Sequence, residues 1–149
     1  MEQNIIKLHR VFTAPVEKVF KAFTDADAMA SWLPPYGFVC KVHKWDFKVG
    51  GSYKMSFVNF TTGLSSSFTG EYLEIIPNEL LKYTDTFDDP NLSAQMVTTI
   101  LLKRVLCGTE LYATQEGIPD AIPTEMCYLG WQESLDKLKR LVEPNIPDA

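Results

Sequence analysis

The sequence predicts an α+β domain in which a curved antiparallel sheet of about six or seven strands grips a long C-terminal helix. Three observations carry this. Strand-like segments recur with short polar breaks between them. Two short helical patterns sit after the first strand. The one long amphipathic stretch comes last, after Pro123. A sheet with one apolar face needs cover, and that last helix is the only element large enough to supply it.

The first strand is read over residues 5–11, which are rich in β-branched side chains. Phe12-Thr13-Ala14-Pro15 then changes the period. Pro15 suits a first helical position, where a missing N–H costs nothing. Val16, Val19, Phe20 and Phe23 follow at i, i+3, i+4, i+7 and define one helical face. Thr24 or Asp25 can cap a second short helix running through Ala30, and Pro34-Pro35 stops it. A strand is read over 38–47, then a tight turn at Val49-Gly50-Gly51. From Ser52 the alternation sends Tyr53, Met55 and Phe57 one way and Lys54 and Ser56 the other. Further strands are read over 66–75, 80–87, 96–105 and 110–115, as an antiparallel meander. In the last helix, Tyr128, Trp131, Leu135, Leu138 and Val142 make one apolar stripe. Glu133–Lys137 and Asp136–Arg140 are spaced as i, i+4 ion pairs on its wet side. Gly130 interrupts the stripe, either for close packing on the sheet or to leave room for a ligand.

The totals narrow the function. A chain of 149 residues suits one domain, taken here as 1–149. A net charge of −5 argues against a nucleic-acid surface. Met1-Glu2-Gln3-Asn4 lacks the basic, apolar start of a signal peptide, and no apolar run reaches a membrane span. A cytoplasmic location is therefore expected, and the two N-x-[ST] sequons are read as chance. Cys40, Cys107 and Cys127 are odd in number and show no C-x-x-C spacing, so neither a disulfide framework nor a zinc site is expected.

No catalytic motif stands out. His9 and His43 are isolated, so no metal and no cofactor are expected. Gly63-Leu64-Ser65-Ser66-Ser67 starts like a nucleophile elbow but lacks the closing glycine. Asp88-Asp89 precedes Pro90, as turn residues do. What the chain does hold is an aromatic surplus: three Trp, six Tyr and nine Phe, more than the turns and caps explain. Trp32, Tyr53, Phe57, Tyr83 and Trp131 are the expected walls of an apolar site, with Phe87 on the same face. Thr99 and Gln115 would supply its polar groups if their strands face inward with Val97, Leu101 and Leu111.

The order of short motifs resembles a known family. Arg10-x-Phe12-x-Ala14-Pro15, Val19-Phe20-x-Ala22-Phe23-Thr24-Asp25 and Trp32 open it. Phe47-x-Val49-Gly50-Gly51-x-Tyr53 and Gly70-Glu71-Tyr72-Leu73-Glu74-Ile75 follow, then Pro77-Asn78-Glu79-x-Leu81-x-Tyr83-Thr84. Thr109-x-Leu111, Gln115-x-Gly117-x-Pro119 and Gly130-Trp131-x-x-x-Leu135-x-x-Leu138 complete it. Together they resemble the homologue-like members of the activator of heat-shock protein 90 ATPase family. The resemblance implies the START-like, or SRPBCC, helix-grip fold, whose members hold apolar ligands between sheet and helix. It also implies no shared catalytic motif. The chain departs from the pattern around Thr98–Ile100 and at Val105-Leu106-Cys107, where extra apolar residues suit either an interface, such as a homodimer, or the core.

Three functions follow from this reading. The first is binding of a small apolar or aromatic, lipid-like molecule. The second is a cyclase or dehydratase using the same cavity. The third is a stress-response protein that meets a chaperone partner through its surface. An inward acid–base pair would favour the second, and a distinct surface patch the third.

Overall fold

The computed structural model describes residues 4–148; the reading of Met1, Glu2 and Gln3 as lacking a leader lies outside them. The chain runs β1 (Ile5–Phe12), α1 (Val16–Thr24), α2 (Ala26–Trp32), β2 (Phe38–Trp45), β3 (Ser52–Asn59), β4 (Ser65–Ile76) and β5 (Leu80–Phe87). A 3₁₀ turn (Pro90–Leu92) leads to β6 (Met96–Val105), β7 (Gly108–Glu116) and α3 (Thr124–Val142). The seven strands form one antiparallel sheet in the order β1-β7-β6-β5-β4-β3-β2. Only the β1–β7 pairing departs from nearest-neighbour order, and β1 at that edge packs beside α3. This is the helix-grip fold.

Sequence and structure agree on the type of every element, and the ends shift by a residue or two. Pro15 is the cap outside α1, with ψ of 148°, not its first helical residue. Asp25 rather than Thr24 caps α2, accepting from the Ala28 N–H at 3.0 Å, and α2 continues past Ala30 to Trp32. β2 stops at Trp45, and Phe47 folds back against Trp45 and Tyr72.

The helical stripe is buried as its spacing requires: Trp131, Leu135, Leu138 and Val142 face the core, and Tyr128 is half-buried. Burial of each aliphatic member contributes about 1.5–3 kcal/mol. The anticipated i, i+4 pairs of α3 do not form. Asp136 instead pairs with Arg10 of β1 at 2.8 Å, Glu133 accepts from the Tyr36 N–H at 3.1 Å, and Lys137 donates to the Pro34 carbonyl at 2.9 Å. Contacts to other elements satisfy these side chains better than neighbours on the same helix do. They fix the middle of α3 against β1 and the α2–β2 loop. Farther along, Glu143 accepts from the Thr13 N–H and Lys18 donates to the Pro144 carbonyl.

Val105-Leu106-Cys107 forms the tip of the β6–β7 hairpin, with Leu106 and Cys107 exposed rather than in the core. Among the described residues, no helix is long and apolar enough to cross a membrane.

Candidate functional site

The sheet curves away from the first half of α3 and leaves a cavity of about 220 Å³. Its sheet wall is Tyr53, Met55 and Phe57 of β3, Phe68 of β4, Tyr83, Asp85 and Phe87 of β5, Met96 of β6 and Gln115 of β7. α3 closes it with Met126, Cys127, Gly130, Trp131 and Ser134, and Leu33 and Pro35 complete the rim. Met126 is 62% exposed, so the cavity reaches the surface at the start of α3. A β-carbon built on Gly130 meets nothing within 4 Å, so this glycine borders open space and is not there for close packing.

Of the expected wall residues, Tyr53, Phe57, Tyr83, Gln115 and Trp131 come together on this cavity. Trp32 does not. It is fully buried at the C-terminal end of α2, its ring stands edge-on to Phe23 at 4.8 Å, and its Nε1–H donates to the Ala22 carbonyl. Thr99 also points elsewhere. On β6 the buried positions are Met96, Thr98, Ile100 and Leu102, so Val97, Thr99 and Leu101 take the opposite face. Apolar residues occupy both parities of this strand, and alternation alone does not choose between them. Pairing does: Thr98 sits opposite Tyr83 and Gln115, both inward, so it must face inward with them.

The residue missed from sequence is Asp85. It lies at an inward position of β5 with Leu81, Tyr83 and Phe87, and is 7% exposed. The β4–β5 ladder is interrupted beside it without a change of register: Thr69 pairs with Thr86 and Tyr72 with Tyr83, but Gly70 and Glu71 pair with neither Asp85 nor Thr84. The Glu71 N–H goes to the Thr84 hydroxyl, and the Thr84 carbonyl accepts from the Tyr53 hydroxyl at 2.8 Å.

A chain of polar groups results, all buried. Trp131 Nε1–H donates to Gln115 Oε1 at 3.3 Å, Gln115 Nε2–H to Thr98 Oγ1 at 3.3 Å, and the Thr98 hydroxyl to Asp85 Oδ2 at 3.3 Å. Asp85 Oδ1 contacts Tyr53 Oη. Tyr53 carries one hydroxyl proton, and two acceptors, the Thr84 carbonyl and Asp85 Oδ1, lie within its reach. Both contacts are therefore satisfied together when Asp85 is a neutral acid donating to Tyr53 Oη. Burial pushes the Asp85 pKa well above the usual carboxylate range, against a smaller opposing effect from the Thr98 hydroxyl. Burial likewise raises the Tyr83 phenol and the Cys127 thiol.

Among the described lining residues, one carboxyl faces no lysine, arginine or histidine. A thiol with a raised pKa is a weak nucleophile. No three His, Cys, Asp or Glu side chains converge as metal ligands among the described residues. His43 lies on the other face of the sheet, bonded to Ser56 Oγ at 2.6 Å, and Ser56 in turn meets Ser67.

The whole chain is similar to a crystal structure of a protein from Chromobacterium violaceum, with 56% identity, a TM-score of 0.95, and coverage of 97% of this chain and 100% of that one. It shares its fold with a protein from Staphylococcus epidermidis at 22% identity and a TM-score of 0.81, covering 100% of this chain and 95% of that one. The same holds for the AHSA1 protein of Silicibacter pomeroyi, at 21% identity and a TM-score of 0.78, covering 91% and 95%. No curated protein matches. The profile of one family covers residues 13–143, from the α1 cap to the end of α3, and by that match the chain belongs to the Activator of Hsp90 ATPase homolog 1-like protein family.

Proposed function

We propose that this protein binds a small apolar or aromatic molecule between the sheet and α3, through Tyr53, Phe57, Tyr83, Gln115 and Trp131. The observation that supports this most is the cavity itself: six aromatic rings and three methionines border space that packing leaves empty. Protein interiors are otherwise close-packed, and an apolar cavity that reaches the surface is a usual place for a ligand. Gly130 supports the same reading, since it is a poor helix former kept where a larger side chain would intrude on the cavity. The lone carboxyl, without a base beside it, ranks the cyclase or dehydratase alternative lower. The chaperone alternative draws on the family description alone. Three free cysteines suit a cytoplasmic setting.

The test is a thermal-shift screen of lipids, flavonoids and aromatic polyketides on the wild type, repeated on Gly130 variants. A ligand at about 100 times its dissociation constant adds roughly 2.7 kcal/mol. At about 2–4 °C per kcal/mol, that is a shift of several degrees. Gly130→Ala is expected to raise stability by up to ~1 kcal/mol and leave binding intact, because the added methyl meets no atom. Gly130→Leu is expected to fold and lose the shift, because its side chain occupies the site. A screen with no hit on the wild type, or hits that Gly130→Leu leaves unchanged, would remove this cavity as the binding site.

A further inference from the structure

We infer that the ligand is an apolar amine, one aromatic ring with a short alkylammonium arm, whose ammonium pairs with the Asp85 carboxylate. This rests on the cavity reading above and adds the chemistry of the ligand's polar end. Asp85 is the one ionisable carboxyl on the cavity wall, and no cation of the protein lines that wall with it. Its neighbours' protons are engaged within the protein: Tyr53 has the Thr84 carbonyl and Asp85 within reach, Trp131 donates to Gln115, and Gln115 to Thr98. The wall also holds the Tyr83 hydroxyl, but its one carboxyl, able to take a full charge that matches a ligand cation, is Asp85.

Electrostatics disfavours the opposite sign. A fatty acid or other anionic ligand would bury a net charge against a wall that holds no lysine, arginine or histidine to offset it, whereas Asp85 can ionise to match a cation. An ammonium supplies the missing partner, and the flanking rings of Tyr53, Tyr83 and Trp131 add cation–π attraction. Size agrees. A dry cavity of about 150 Å³ holds benzene. At about 220 Å³, this one has room for a ring and a short arm.

Proton balance gives the signature. The free amine in water is an ammonium, and burial favours the protonated form of Asp85 in the protein without ligand. On binding, the ammonium keeps its proton and the Asp85 carboxyl loses one to the buffer. The titratable groups facing Asp85 are Tyr53 of β3, Tyr83 of its own strand and Cys127 of α3, while β6 and β7 present only Thr98 and Gln115. Burial holds the Tyr83 phenol and the Cys127 thiol protonated through the neutral range. Asp85 is thus the source of the released proton.

The experiment is calorimetric titration of the whole chain with phenethylamine, phenethyl alcohol and hydrocinnamate, three molecules of similar shape with cationic, neutral and anionic ends. Each titration is run in two buffers of different ionisation enthalpy. Phenethylamine is expected to bind best and hydrocinnamate worst. Amine binding is expected to release up to one proton, and its affinity to rise by up to about tenfold per pH unit at pH values where free-protein Asp85 is still protonated. Asp85→Asn is expected to lose the amine preference and the proton release while still taking the alcohol. The wild-type buffer comparison stands even where that variant does not fold. Amine and alcohol binding alike with no proton released, or hydrocinnamate binding best, would overturn the amine assignment and leave the apolar site standing. No heat from any of the three overturns the assignment too, and a blank thermal-shift screen beside it removes the site as well.

Discussion

Gly70→Ala is expected to destabilise the protein by about 3 kcal/mol, at the upper end of what overpacking in a core costs. For a chain of this length that is a fall in melting temperature of about 10 °C. Gly70 sits on β4 directly opposite Tyr53 of β3, and the Tyr53 ring lies across it to reach the Thr84 carbonyl on β5. A β-carbon at Gly70 would overlap both that ring and that carbonyl. Neither can easily yield. The ring is 1% exposed and surrounded by Trp45, Phe68, Tyr72 and Tyr83, and the carbonyl belongs to the backbone of a central strand. Relief would require Tyr53 to leave the Thr84 carbonyl and Asp85 together, so the variant is also expected to bind ligand poorly. Urea unfolding of Gly70→Ala beside Gly130→Ala checks this, because the same added methyl should cost much at one glycine and nothing at the other. A loss below about 1 kcal/mol at Gly70 would mean that the strand relaxes around the methyl and that Tyr53 is not held there by close approach.

Much of the fold was legible because the signals were local and agreed with one another. The 3-4 spacing from Trp131 to Val142, the alternation in β3 and the proline and glycine breaks each point to one element type. The site was legible only in part, and the misses have physical causes. Trp32 carries the same aromatic signal as Tyr53, but the sequence of α2 does not say that its indole reaches back to Ala22. β6 has apolar residues on both faces because its outer surface is itself partly apolar, with Leu101 and Tyr112 exposed beside each other in register. The choice of Thr98 over Thr99 needed the pairing with β5 and β7. Asp85 was within reach. Tyr83 and Phe87 were read as inward, and the same alternation puts Asp85 between them. What hid it is that a carboxylate in a strand ordinarily marks the wet face. A charged residue at a buried parity is a conflict between two levels of the sequence, and such conflicts are expected at functional sites.

That conflict should be measurable as a pH effect. The wild type is expected to be more stable at about pH 5 than at about pH 8 by a margin that Asp85→Asn removes. In the unfolded chain Asp85 titrates near ~4, as a free aspartate does. In the folded chain burial raises its pKa well above that. The folded state therefore holds a proton that the unfolded state has released. The stability from this group is fully present below the unfolded pKa and is lost as pH rises through the window up to the folded value. Inside that window each pH unit removes up to ~1.4 kcal/mol. Three other carboxyls run the opposite way. Glu17 is lowered by its hydrogen bond to Arg104, Glu110 by its bond to His9, and Glu143 by the Thr13 N–H. Their contribution is lost only as pH falls toward the acid range, and all three lie at the surface, where such pairs are worth little. They are also the same in both proteins, so the difference between wild type and variant isolates Asp85. Asparagine keeps the shape of the neutral acid and can still donate to Tyr53 Oη and accept from Thr98. Asp85→Asn should therefore match the wild type at the acid end and exceed it at the alkaline end. Urea melts of both proteins across that range decide the matter. Parallel curves, or a variant that is less stable at alkaline pH, would mean that Asp85 is ionised in the folded state and that a cation or water compensates its charge.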